Sequence, residues 1–261
     1  MSTFARAGAG TTAITTDIGS AKKDSAMIDI HSHALPFVDD GAKSMEEALV
    51  MVEKAIACGV TDLFLTPHFH RYHNFMATPA RNREVFGELL SRIQSHNLDI
   101  RLHLGNEVFY SIEVVDLLRN DKVLKMGDSD MILIEFGIDD DPETIIEAIH
   151  NLVSIKLRPI IAHVERYGKI KSLDCFSVLK RMGAMIQVNA GTILGHHGKA
   201  LQKRMCSLIK HKLVDFVASD IHDEYGSCLK DARTLVERKF GTKVADALFN
   251  NASILSNSGG K

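Results

Sequence analysis

A chain of 261 residues with 45% hydrophobic content is long enough to bury one large core. Its formal charge of −2 lacks the basic surplus of a general nucleic-acid binder. No apolar run reaches the roughly 20 residues of a membrane span, and the first 26 residues lack the apolar stretch of a signal peptide.

In chain order, residues 1–26 are rich in Ser, Thr, Ala and Gly and are expected to be a disordered extension or a leader, with Met27 as a natural start. A single domain is expected over 27–255, followed by a loose tail at 256–261. Within the domain, seven strands are expected near 27–30, 60–66, 100–105, 131–134, 158–162, 185–189 and 213–218. Several are continuous apolar runs, such as Ile132-Leu133-Ile134 and Ile160-Ile161-Ala162, as in buried parallel strands. Helical patterns fill the gaps. Ser44 opens a helix that Gly59 closes, and Thr78-Pro79 opens a longer one reaching His96. Others are expected near 111–119, 142–156, 172–182, 199–211, 227–239 and 243–250. Strict alternation of strand and helix predicts a parallel sheet with right-handed crossovers, and a closed α/β barrel rather than an open doubly wound sheet. The four cysteines, Cys58, Cys175, Cys206 and Cys228, contain no CxxC pair and are expected to be reduced and mostly buried in a cytosolic protein.

The thirteen histidines are many for this length, and imidazole is the commonest metal ligand. Nine metal-type side chains fall at or just beyond strand ends: His31, His33, Asp40, His68, Glu107, Glu135, His163, Asp220 and His222. Strand ends of an α/β barrel converge on one pocket, so the pattern predicts a site for more than one divalent ion. His31 and His33 lie two residues apart on a strand and point the same way. Asp29 shares that parity and is a candidate to orient an imidazole. Asp40, in Val38-Asp39-Asp40-Gly41, reads either as a turn residue or as a ligand. Pro67 cannot donate to a ladder and ends the second strand, leaving His68 at the rim. Beyond it, His70 and His73 either contact substrate or are solvated, with solvation favoured for His73. Glu107 and Glu135 follow apolar strands, where a carboxylate is costly to bury unless paired or bound to metal. Arg166 offers a planar fork to phosphate or carboxylate, or pairs with Glu165 or another neighbour. Asp220 and His222 repeat the two-residue spacing.

Taken together, Asp29-Ile-His-Ser-His33, Asp39-Asp-Gly41, Thr66-Pro-His68, Gly105-Asn-Glu107, Leu133-Ile-Glu-Phe136, Ile161-Ala-His-Val-Glu-Arg-Tyr167 and Ala218-Ser-Asp-Ile-His222 resemble the polymerase and histidinol phosphatase (PHP) superfamily. Within it they resemble the bacterial capsule-type tyrosine-protein phosphatases, from Met27 to Leu255. The resemblance implies a distorted seven-stranded (β/α)7 TIM-like barrel. It also implies three divalent ions held by the nine residues above, with manganese the expected ion and iron, zinc or magnesium as alternatives. Arg166 matches an arginine that holds the substrate phosphate. The family's Gly-Arg-Pro after the last Asp-x-His is replaced here by Gly226-Ser227-Cys228, leaving Lys230 as a candidate substitute. The implied substrate is phosphotyrosine in the tail of a cytoplasmic bacterial tyrosine autokinase that controls capsule or exopolysaccharide synthesis. The rivals are a histidinol-phosphate phosphatase of the same superfamily and a non-catalytic metal-stabilised scaffold. Oligomeric state is left open.

Cys175 and Arg181 have the Cys-x5-Arg spacing of cysteine-dependent phosphatases. That chemistry needs a loop whose N–H groups face one phosphate. Phe176, Leu179 and Met182 recur at helical spacing instead, so a helix is expected and the cysteine mechanism is rejected. The expected mechanism is attack by water activated at the metal site, with His70 or His222 as candidate proton donors.

Overall fold

The computed structural model describes residues 26–223, 225 and 229–255. The expected extension, apart from Ala26, lies outside these residues, as do the 256–261 tail and Gly226-Ser227-Cys228. The described strands are β1 (Ile28–Asp29), β2 (Asp62–Leu65), β3 (His68–Phe69), β4 (Arg101–Leu104), β5 (Glu107–Phe109), β6 (Met131–Glu135), β7 (Arg158–Ile161), β8 (Met185–Asn189) and β9 (Phe216–Ala218). They form two parallel sheets, ordered β1-β2-β4 and β3-β5-β6-β7-β8-β9. The result is a mixed α/β fold whose parallel sheet curves as a half-barrel. The expected second and third strands are found as β2 and β4, and each is followed by a further short strand, β3 and β5, that was not expected. Pro67 separates β2 from β3, and Gly105-Asn106 separates β4 from β5. Asn106 ties these junctions together: its Nδ2 donates to the Pro67 carbonyl at 2.8 Å, and its Oδ1 accepts from Leu124 N–H at 2.9 Å. The segments that follow β1 and β9 also meet. Asp220 N–H donates to the His31 carbonyl at 2.9 Å, and His33 N–H to the Ile221 carbonyl at 2.8 Å.

Helices α1 (Met45–Ala57), α2 (Pro79–Ser95), α3 (Val114–Arg119), α4 (Pro142–Ser154), α5 (Leu173–Arg181), α6 (Ala190–Leu194), α7 (Lys199–Lys210), α8 (Leu229–Phe240) and α9 (Thr242–Phe249) lie between or after the strands. The caps follow side-chain chemistry. Ser44, Thr78 and Ser172 each accept an N–H of the first turn, so orphan donors there are satisfied. On α4, Ile145, Ala148, Ile149 and Leu152 recur at helical spacing and are buried. The short helix α6 was not expected. It follows β8 directly, and Gly195, in a left-handed conformation with φ 91°, closes it.

Strand alternation sorts the core into two layers. Ile28, Phe64, Met131, Leu133, Ile160, Ala162, Phe216 and Ala218 pack together in an inner cluster. Leu63, Leu65, Ile132, Ile134, Ile161, Ile186, Val188 and Val217 belong to the larger cluster beneath the helices. Cys175 sits in α5, whose Phe176 and Leu179 are buried, so the Cys-x5-Arg segment is a helix as expected. One expectation is overturned. Cys58, at the C-cap of α1, is disulfide-bonded, and it, Cys175 and Cys206 are half-buried rather than buried. Cys228 is outside the described residues. Sequence spacing reports a local motif such as CxxC but not the spatial approach of distant thiols.

Away from the strand C-termini, Asp62 on β2 is buried and accepts from Arg101 Nε at 2.7 Å, with His103 Nε2 at 3.0 Å. Burial pushes its carboxyl up, but the His103 and Arg101 contacts outweigh this and hold it below the ordinary value. A depressed carboxyl adds stability that is present above its unfolded pKa of about 3.9 and lost as pH falls through the folded value. Asp62→Asn should therefore cost about 1 kcal/mol at neutral pH, modest because the Arg101 head is screened by water. The difference from wild type should shrink in acid. Urea melts at pH 7 and pH 3.5 check both the size and the sign.

Candidate metal centre

The register of the strands delivers the acidic and imidazole side chains to one place. His68 pairs with Glu107 across β3 and β5, and Phe109 pairs with Glu135 across β5 and β6. Glu135 and Asp220 continue the inward parity of Met131-Leu133 and Phe216-Ala218. His163 breaks the parity of its strand. Its backbone is left-handed at φ 30°, and that of Asp220 at φ 54°, conformations that non-glycine residues hold only where the surroundings impose them.

All nine expected ligands converge. His31, His33, Glu107 and Asp220 form one group, His33, Asp40, His68 and His222 a second, and His68, Glu107 and Glu135 a third. His163 joins them through Nε2, 2.7 Å from Glu107 Oε1 and 3.5 Å from Glu135 Oε1. In the first group, His31 Nε2 lies 3.2 Å from His33 Nε2, from Glu107 Oε2 and from Asp220 Oδ1. His33 Nε2 lies 3.4 Å from Glu107 Oε2 and 3.5 Å from Asp220 Oδ1. Four ligands about 2.1 Å from one tetrahedral ion stand about 3.4 Å apart, and octahedral neighbours about 3.0 Å. The donor separations match those edges. Glu107 Oε2, Glu135 Oε2, Asp220 Oδ1 and His68 Nδ1 are buried and have no hydrogen-bond partner, so the donor set fits a group that takes lone pairs.

The charges follow from this crowding. Burial alone would raise Glu107 and Asp220, but the imidazoles against them hold both well below the carboxylate range. Glu135 is pushed up to about 7 by burial and then by the Glu107 charge. His31, His33 and His68 are drawn upward against their burial by the carboxylates. Burial holds His163 and His222 down.

Several orienting residues were not singled out from the sequence. Asp39 is a buried carboxylate that accepts from His33 Nδ1–H at 2.7 Å, from His68 N–H at 2.9 Å and from Gly41 N–H at 3.0 Å. It thereby turns the His33 Nε2 lone pair inward. Gly41 is required here: a Cβ would fall 1.9 Å from the His33 carbonyl oxygen. On β8, Gln187 Oε1 lies 3.3 Å from His31 Nδ1 and accepts from His163 N–H at 2.7 Å, while Asn189 Nδ2 donates to Asp220 Oδ2 at 2.6 Å. The available signal was a polar pair two residues apart in an apolar strand. Asp29, the expected orienter, accepts instead from the backbone N–H groups of His31 at 3.4 Å and Ser219 at 3.0 Å. It joins β1 to the segment after β9 and makes no hydrogen bond to a ring.

Arg166 stands on the turn after β7, 43% exposed, with Nη1 3.4 Å from Glu135 Oε1 and Nη2 3.1 Å from Asp220 Oδ2. Glu165 is buried and accepts from Asn189 N–H and the Thr192 hydroxyl, so it is not the partner of Arg166. A cavity of about 490 Å³ opens beside Arg166, Asp220 and His222. Lys230 is exposed at the start of α8 and is not among the residues lining it. His70 is buried, its ring stacked 4.0 Å from those of both His73 and Phe109, and its pKa is lowered by burial and by the neighbouring His73. His73 is exposed.

A family model described as capsular polysaccharide synthesis, CpsB/CapC, matches residues 27–256. The chain is 31% identical over 232 residues to tyrosine-protein phosphatase YwqE of Bacillus subtilis (strain 168), covering 88% of this chain and 91% of the relative. It is 31% identical over 246 residues to tyrosine-protein phosphatase CpsB of Streptococcus agalactiae serotype III, covering 88% and 99%. A chain from the crystal structures of YwqE from Bacillus subtilis and CpsB from Streptococcus pneumoniae, described as metal-dependent tyrosine phosphatases, matches with a TM-score of 0.82 and 30% identity, covering 88% and 94%. An amidohydrolase from Mycoplasma synoviae, 11% identical with a TM-score of 0.57, shares the fold alone.

Asp39→Asn keeps the shape and removes the charge that fixes the His33 ring. It should weaken metal affinity about 10- to 100-fold, and also cost the metal-free protein about 1 kcal/mol, because Asn has one acceptor oxygen for three N–H donors. Isothermal titration with manganese checks this.

Proposed function

The chain belongs to the CpsB/CapC family of capsular polysaccharide synthesis, and from that footing we propose that it is a metal-dependent phosphatase that hydrolyses phosphotyrosine in a protein. The observation that carries the reading is the convergence of nine His, Asp and Glu donors, with buried unpartnered lone pairs, against the guanidinium of Arg166. Relatives named as tyrosine-protein phosphatases support the substrate.

In this reading the three overlapping groups, with His163 added to the third, hold three divalent ions. Mixed nitrogen and oxygen donors suit manganese, with iron, zinc or magnesium as alternatives. When bound, the ions lower the pKa of water and draw charge from the phosphoryl oxygens. The chain's own residues do the rest. Arg166 presents a planar pair of N–H donors to the phosphate, taking oxygens in place of Glu135 and Asp220. Asp39, Gln187 and Asn189 keep the rings and the Asp220 carboxylate from rotating. The cavity beside Arg166 has room for a phenyl ring. A phenol, with a pKa of about 10, leaves more readily than an alkanol.

The catalytic unit is residues 27–255, and its two sheets are the halves of one distorted barrel of seven strand positions. β2 with β3 fills one position and β4 with β5 another. The partner is a phosphotyrosine-bearing protein, the tail of a bacterial tyrosine autokinase in the cytoplasm. No helix among the described residues is long and apolar enough to cross a membrane.

Hydrolysis of a phosphotyrosyl peptide and of histidinol phosphate tests this, with EDTA and manganese add-back. Peptide turnover should vanish with chelator and return with manganese. Arg166→Ala should lower kcat/KM about 100-fold or more, and Cys175→Ser should leave it unchanged. Preference for histidinol phosphate would move the substrate assignment. Chelator-resistant turnover would overturn the mechanism, and no turnover of any phosphate ester would favour a scaffold.

A further inference from the structure

His197 is an exposed side chain that lines the same cavity as the phosphate-facing groups. Arg166, Asp220 and His222 line one part of that space, and His197, Leu201 and Gly191 also line it. An aryl ester seated by Arg166 would hold its ring in this shared cavity.

The orientation of His197 follows from a chain of short contacts. Its Nδ1 is 2.8 Å from Thr192 Oγ1. The Thr192 hydroxyl donates its single proton to Glu165 Oε1 at 2.8 Å, and that same oxygen accepts from Asn189 N–H at 2.9 Å. With the hydroxyl proton given to Glu165, the hydroxyl oxygen accepts from the ring, so Nδ1 carries the hydrogen and Nε2 is the atom left to exchange a proton. The backbone holds this arrangement. Gly195 and Gly198 bracket the two histidines of the turn with φ of 91° and 92°. His196 N–H donates to the Gly191 carbonyl at 2.9 Å, and Gln202 Nε2 donates to the Ile193 carbonyl at 2.8 Å. Glu165, which anchors the chain, is buried while Oε2, its second oxygen, has no partner.

The other imidazoles are committed. His31, His33, His68, His163 and His222 belong to the ligand groups, and a lone pair given to a metal cannot carry a proton. His70 is stacked against His73 and Phe109 and does not line the cavity. Among the described residues that line it, His197 is the imidazole outside the ligand groups.

We propose that His197, clamped through Thr192 to Glu165, is the catalytic residue that protonates the tyrosine phenol oxygen as it leaves phosphorus. The inference rests on the phosphatase reading above and replaces His70 and His222 as proton donors. In the step, the bond from phosphorus to the phenol oxygen breaks and its electron pair stays on that oxygen. The proton on His197 Nε2 moves to it, giving neutral tyrosine. A water oxygen forms the new bond to phosphorus. One of its protons stays on the phosphate product and the other returns through solvent to His197.

A leaving group that needs no proton separates this role from a structural one. The holoenzyme and its His197→Gln variant are compared on a phosphotyrosyl peptide and on p-nitrophenyl phosphate. His197→Gln should lower kcat on the peptide about 100-fold, while kcat on p-nitrophenyl phosphate changes less than about threefold. Thr192→Val, which removes the clamp and keeps the ring, should show a smaller loss with the same selectivity. Equal loss on both esters, or no loss on either, would overturn the assignment. A wild-type enzyme that turns over neither ester would remove the phosphatase reading itself, and this inference with it.

Discussion

Glu107 is a fully buried carboxylate, and among the described residues no lysine or arginine makes a direct ion pair with it, Arg166 acting on it only at longer range. Four imidazoles do: His31, His33, His68 and His163 approach its oxygens within 2.7 to 3.4 Å. An isolated buried charge costs far more than a fold can supply, so positive charge must be delivered to this point. The imidazoles arrive from β1, β3 and β7 and the segments that follow them, and Glu107 itself opens β5. Asp220 and Asp40 add further negative charge nearby. The site is thus a knot of acids and bases that a divalent cation satisfies better than protons can. A protonated ring offers one hydrogen per nitrogen, whereas a cation takes lone pairs from several directions.

The rest of the architecture bends to this centre. Regular β structure gives way wherever the site needs a different direction: at Pro67, at Gly105-Asn106, at His163 and at Asp220. Each departure is held by specific partners. Asn106 bridges the two strand junctions. Gln187 accepts from the amide of His163, and the amide of Asp220 donates to the His31 carbonyl. Gly41 lets the Asp39 loop lie directly on His33. Departures from ideal geometry cluster at functional sites because the surrounding packing can hold them there. The stability of the fold lies elsewhere, in the apolar layers and in peripheral pairs such as Asp62 with Arg101.

The converging His, Asp and Glu residues were legible because they sit at abrupt ends of apolar runs. Leu133-Ile134-Glu135 and Ala162-His163 are hard to explain in a buried strand unless the polar group has a partner. The orienting residues were not legible for the opposite reason. Asp39 looks like any turn aspartate, and its role exists only because the loop folds back onto His33. Asp29 had the right parity to hold a ring, yet its carboxylate is taken by backbone amides across the closure. The disulfide state of Cys58 was hidden in the same way, since it is a property of space rather than of local spacing.

By itself the sequence determined the alternation of strand and helix, the caps, and the identity of the groups that would meet, because these depend on periodicity and local hydrogen bonding. It did not determine how strands would break and share register. Only the tertiary structure decided that His68 stands beside Glu107, that Arg166 faces Glu135 and Asp220 rather than Glu165, and that His197 is tied through Thr192 to Glu165. These outcomes depend on the closing of distant segments, such as Asp220 onto His31, and no local preference encodes such a contact.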